Sequence, residues 1–85
     1  MTFTANGSQD FDARADSFMF GAVGTFDGAT IKVQHKVAGT YVDVPNSSLT
    51  DNGAIIVQTG FDTRATVSNA GSSTSITVEV VGLDQ

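Results

Sequence analysis

From Ile31 to Val37 every second residue (Ile31, Val33, His35, Val37) belongs to one side of an extended chain, while Lys32, Gln34 and Lys36 belong to the other. Side chains on a strand alternate between two faces, so this run predicts a strand with one core face and one solvent face. The pattern returns in Asp62 to Ser68 (DTRATVS), where Ala65 and Val67 oppose Arg64 and Thr66. It returns again in Thr74 to Val81, where Ile76, Val78 and Val80 face one way. Turn signals separate such runs at spacings of roughly 8–12 residues, which leaves no room for crossover helices and predicts antiparallel pairing. Valine, isoleucine, threonine and phenylalanine dominate, and the alanine, leucine, lysine and glutamate runs that favour helix are missing.

Read along the chain, Thr2 to Ala5 is a short first strand, Asn6 to Asp10 (NGSQD) a turn and Phe11 to Ala15 a second strand. Phe18 to Phe26 (FMFGAVGTF) is apolar at both parities and interrupted by Gly21 and Gly24, as in a central strand covered on both faces or bent at bulges. Asp27-Gly28 turns the chain into Ala29 to Val37. Ala38-Gly39 is not the Asn-Gly pair of a tight primed turn, so a loop of three or four residues is expected, with Gly39 left-handed at a bulge. Thr40 to Val44 returns as the partner strand. Pro45, the only proline, can donate no ladder hydrogen bond, so that strand ends there or lies at a sheet edge. Asp51-Asn52-Gly53 reads as a hairpin turn joining Ser47-Ser48-Leu49 to a strand from Ala54 to Thr59.

Seven or eight short strands result, and the expected fold is all-β, an antiparallel β-sandwich that is immunoglobulin-like or jelly-roll-like. Its expected core comprises Ile31, Val33, Val37, Ile55, Val57, Ala65, Val67, Ile76, Val78 and Val80.

The chain of 85 residues fits one domain, 1–85, with 1–10 as an N-terminal contact segment. Small domains bury a modest share of their surface and commonly rely on disulfides, metals or association. With no cysteine, packing and association remain, and a homo-oligomer, a trimer in preference, is expected. Nine acidic residues against four basic ones, net charge −5, argue against a nucleic-acid partner. Lys32 and Lys36 share a strand face but read as solvated. No run approaches the ~20 apolar residues of a spanning helix, so no membrane partner is expected either. The first residues show neither a basic start nor an apolar stretch, and the lack of cysteine suits folding in a reducing cytoplasm.

Chemistry has little to work with. The single histidine, His35, lies between Val33 and Val37 on the apolar side of its strand, the setting of a packed side chain rather than a general base. Structural or catalytic zinc needs about three or four protein ligands, which this histidine count and the absence of cysteine do not supply. Asp10, Asp12 and Asp16 lack the glycine-turned loop and closing glutamate of a calcium site, and Asp12 can simply pair with Arg14. Gly21, Gly24 and Gly28 precede no helix that could meet a phosphate. The expectation is a protein that is not an enzyme and holds no cofactor or metal. Arg64, mid-strand after Gly60-Phe61-Asp62, reads as a cross-strand partner of an aspartate, with a subunit contact as the alternative.

The run from Gly24 to Gly82 carries a GTFxGAT opening of a strand (Gly24 to Thr30), a hairpin with an aromatic before VDV (Tyr41 to Val44), RATVS (Arg64 to Ser68) and a Thr/Ser-rich last strand. In these features it resembles small all-β virion proteins of tailed bacteriophages, especially capsid decoration (cement) proteins. The resemblance implies a structural role on the virion surface after synthesis in the host cytoplasm, with the major capsid protein as partner. Thr2, Phe3, Tyr41, Val42 and Arg64 are the expected interface residues. The alternative is a receptor- or carbohydrate-binding module of a head fibre or tail, holding ligand with Tyr41, Asn46, Asn52 and Asp62.

Overall fold

The computed structural model describes residues 1–11, 17–58 and 62–82. They form eight strands and no helix: β1 (Thr2–Phe3), β2 (Gly7–Phe11), β3 (Ser17–Thr25), β4 (Thr30–Val37), β5 (Thr40–Asp43), β6 (Gly53–Gln58), β7 (Asp62–Ser68) and β8 (Ser75–Gly82). Two antiparallel four-stranded sheets pack face to face, one in the order β1-β8-β3-β6 and the other β2-β7-β4-β5.

These orders follow a simple rule. First pairs with last, second with second-last, third with third-last, and the two middle strands with each other. The chain is thus one long hairpin whose tip is the β4–β5 turn, rolled so that successive strand pairs fall alternately in the two sheets. Lateral pairing of β3 with β8 and of β4 with β7 closes each sheet. This is a jelly roll, one of the two sandwich types expected, and not the immunoglobulin arrangement.

The inner faces are filled from both sheets. Phe18, Phe20, Ala22, Ile76 and Val78 meet Ile31, Val33, Ala65 and Val67, with Phe3, Phe26, Ala29 and Val57 completing the buried cluster. Phe11 reaches from β2 to the opposite sheet, edge-on to Phe18 at 5.4 Å and stacked near Phe20 at 6.1 Å between ring centres. Ile55 and Val80 pack on the cluster while partly exposed. Val37, expected inside, is 38% exposed, because β4 ends there at the hairpin tip, beyond the reach of the opposite sheet. Phe3, Phe18, Phe20, Ala22, Phe26 and Ala29 join the core without having been assigned to it by alternation.

Several local expectations are corrected. The β4–β5 connection has only two residues: Val37 pairs with Thr40, and both Ala38 (φ 51°) and Gly39 (φ 83°) are left-handed, as in the tight primed turn. The right-handed twist of the flanking strands selects that geometry even with alanine in the first position. Residues 7–10, read as a turn, are paired with β7, and Asn6 accepts a hydrogen bond from the Ala70 amide at 2.8 Å instead of nucleating a turn. The first strand stops at Phe3, and most of the expected 11–15 strand lies outside the described residues. Leu49 bridges Ile31 rather than β6, so Asp51-Asn52-Gly53 carries the chain from one sheet to the other and closes no hairpin. Strand β5 does lie at a sheet edge and ends before Pro45.

Buried Ser47 fixes the long return from β5. Its Oγ accepts from the Val33 amide (3.1 Å) and lies within donating distance of the Val33 and Val44 carbonyls (3.1 and 2.7 Å). A hydroxyl replaces the strand neighbour that this stretch of β4 would otherwise need.

Candidate interaction surfaces

The two outer faces of the sandwich differ in chemistry. On the β2-β7-β4-β5 sheet, register places Asp10, Arg64, Gln34 and Asp43 side by side across all four strands. Arg64 Nε donates to Gln34 Oε1 at 2.7 Å, and Gln34 Nε2 donates to Asp43 Oδ1 at 2.8 Å. Lys32 donates to the other oxygen of Asp43 at 3.0 Å. Tyr41 lies over this row: its hydroxyl donates to Asp10 at 3.1 Å, and the Arg64 guanidinium sits 3.8 Å from its ring centre, with Lys36 at 5.9 Å.

The pKa shifts follow from these contacts. The Gln34 and then the Lys32 hydrogen bond hold Asp43 below the usual aspartate range. Partial burial, then the hydrogen bond to Asp10 and its negative charge, raise the Tyr41 phenol above its ordinary value, with Arg64 opposing. Asp10, Arg64, Gln34, Asp43, Lys32 and Tyr41 are engaged with one another, and one face of the tyrosine ring is covered.

The β1-β8-β3-β6 sheet is built otherwise. Its outward residues form rows set by register: Ile56, Met19 and Val81, then Ala54, Gly21 and Glu79, then Val23, Thr77 and Thr2. Ile56 is 65% exposed, Val23 55%, Val81 48% and Met19 39%. Glu79 is the one ionisable side chain in these four strands. Between the bulky rows the small residues Gly21, Ala54 and Gly53 leave a shallow depression of about 430 Å³, flanked by Val23, Thr77 and Glu79. Large exposed apolar patches are where interaction sites are commonly found, which makes this face the candidate surface. The FMFGAVGTF run, apolar at both parities, was expected to be covered on both faces or bent at bulges, and in the structure its outer residues Met19 and Val23 are exposed.

The five expected interface residues are dispersed. Thr2 belongs to the apolar sheet face, Tyr41 and Arg64 to the polar one, and Val42 stands 44% exposed opposite His35 on edge strand β5. Phe3 is a core residue, 7% exposed. Sequence reasoning missed Met19, Val23, Ile56, Val81 and Glu79. Of the loop residues considered for ligand binding, Asn52 is engaged with the chain itself, accepting from the Gly24 amide at 2.9 Å. Among the described residues no cluster of three or more potential metal ligands occurs; Asp12, Arg14 and Asp16 lie outside them, as do Gly60 and Phe61 before Asp62. Among the described residues no helix is long and apolar enough to cross a membrane. No protein-family model, curated protein or solved structure matches the chain.

Proposed function

We propose that this protein is a capsid decoration protein that lays the outer face of the β1-β8-β3-β6 sheet on the shell and stabilises contacts between shell subunits. The observation that carries this reading is the contrast between the two faces: four exposed large apolar side chains around one carboxylate on one side, and a self-satisfied polar row on the other. Full burial of a valine, isoleucine or methionine side chain is worth about 1.5–3 kcal/mol, so partial burial of these four on a shell supplies a modest contact. Repetition of the shell site makes modest contacts sufficient once one assembly touches more than one subunit, through effective concentration. The net charge of −5 favours the solubility of the free protein. A sugar-binding role for Tyr41 is disfavoured by the Arg64 guanidinium already stacked on its ring.

The test is to mix purified protein with shells of its own virus that lack it. Co-sedimentation, with a rise in the temperature at which the shells break, is the expected result. Failure to bind shells, together with attachment to host cells or glycans, would replace this reading by the receptor-binding one.

A further inference from the structure

The four sheet edges are unequally protected. Strand β1 has only two residues, β2 carries Asp10, and β5 is a four-residue strand ending in Asp43, with Pro45 two residues on. Strand β6, Gly53–Gln58, has six residues (GAIIVQ), no charge and no proline, and among the described residues no strand pairs with its outer edge. Natural edge strands are normally blunted by charge, proline or brevity, because unpaired amides and carbonyls template further pairing.

We infer that the β6 edge pairs with the β6 edge of a second copy, antiparallel about a two-fold axis through Ile55, joining the two β1-β8-β3-β6 sheets into one of eight strands. An extended partner is required by the backbone geometry of an edge, and a second copy fits because the segment is self-complementary. In this register each Ile56 stands opposite the partner's Ala54, next to the depression that Ala54 and Gly21 leave between the bulky rows. The bulkiest exposed side chain thereby meets the smallest neighbours. No like charges are brought together, since the strand has none despite the acidic chain. Pairing one edge with itself yields a dimer, in place of the trimer expected from sequence.

The inference goes beyond shell binding and stands without it. Its consequence for that role is bivalency: at a strand spacing of about 4.8 Å, four strands present a face roughly 19 Å wide, and the pair presents twice that width to two shell sites.

Sedimentation equilibrium of the isolated protein tests it without shells. A dimer is expected at tens of micromolar, because edge pairing buries less than the ~800 Å² per partner of a standard interface. Ile56→Lys, at a 65% exposed position, should weaken the dimer about tenfold or more by setting two lysines diagonally across the junction, with an unchanged far-ultraviolet circular dichroism spectrum. Ala54→Glu alone should weaken it likewise, whereas Ala54→Glu combined with Ile56→Lys should restore it, since each new lysine then faces a new glutamate. A monomer or trimer for the wild type, an Ile56→Lys dimer of undiminished affinity, or a double variant no tighter than Ile56→Lys would overturn the proposal.

Discussion

The Arg64 guanidinium stacks 3.8 Å from the centre of the Tyr41 ring, and that ring reaches from edge strand β5 to a carboxylate on the opposite edge strand, β2. Tyr41 therefore straps both edges of its sheet over the β4–β7 centre. If the stack contributes, Tyr41→Ala and Arg64→Ala should be non-additive: the double variant should lose less melting temperature than the two single variants together. Strict additivity would mean that the stack contributes nothing. Tyr41→Phe, which keeps the ring and loses the hydrogen bond, should fall between the wild type and Tyr41→Ala.

The phenol offers a clean spectroscopic readout, because Tyr41 is the single tyrosine and the chain has no tryptophan. Its pKa is raised in the folded state, so its contribution to stability is complete below the ordinary phenol value and is lost as pH rises through the shifted one. Phenolate absorbance should titrate above the range of a free tyrosine. Asp10→Asn, which removes the adjacent negative charge, should bring the midpoint down. An unchanged midpoint would contradict the Asp10 contact.

Asp43 has the opposite sign. Its pKa is depressed, so its contribution is present above the ordinary aspartate value and fades as pH falls through the lowered one. The stability difference between the wild type and Asp43→Asn should therefore be constant near neutrality and shrink in acid. The group is exposed, so added salt should reduce the Lys32 part of the effect.

Much of this fold is readable from alternation, and the exceptions share a cause. Strands β4, β7 and β8 have one inner and one outer face, so their core residues Ile31, Val33, Ala65, Val67, Ile76 and Val78 follow from period two alone. Strand β3 has apolar residues at both parities, and nothing local tells Phe18 and Phe20 (inside) from Met19 and Val23 (outside). The first-with-last pairing is non-local and leaves no trace in any window of the sequence. Asparagines at Asn6 and Asn52 mislead because their side chains bond backbone amides of distant segments, Ala70 and Gly24, instead of serving their own turns. The polar row was half legible: Tyr41 and Arg64 stood out as residues, but their meeting depends on register across four strands.

Two backbone positions invite opposite outcomes. Gly24 has φ +135°, and a Cβ there would collide with the Ser75 carbonyl oxygen, so Gly24→Ala should cost about 3 kcal/mol or more in chemical denaturation. Ala38 carries φ 51° in the two-residue turn at the hairpin tip. Asparagine tolerates that conformation better, so Ala38→Asn should stabilise by about 0.5–1 kcal/mol. A loss on Ala38→Asn would show that the tip does not adopt the primed turn.

Ser47→Ala should cost about 1–3 kcal/mol, because it leaves the Val33 amide without the Oγ acceptor inside the protein. Ser48→Ala, one residue along on an exposed side chain, should change little and serves as the control.

The decisive substitutions for shell binding are those that alter one outer face without touching the core or the β6 edge. Val23 and Val81 are 55% and 48% exposed on central strands β3 and β8, so lysine at both positions should leave folding and dimerisation intact. Each replaces apolar contact area with a charge that must be desolvated on docking, and the two changes together should reduce co-sedimentation with shells at least tenfold. Lys36→Ala, on the polar face opposite to the proposed docking face, should bind like the wild type. The reverse pattern, with binding abolished by Lys36→Ala and untouched by the paired lysines, would put the shell on the Tyr41 side and leave the apolar face to another partner.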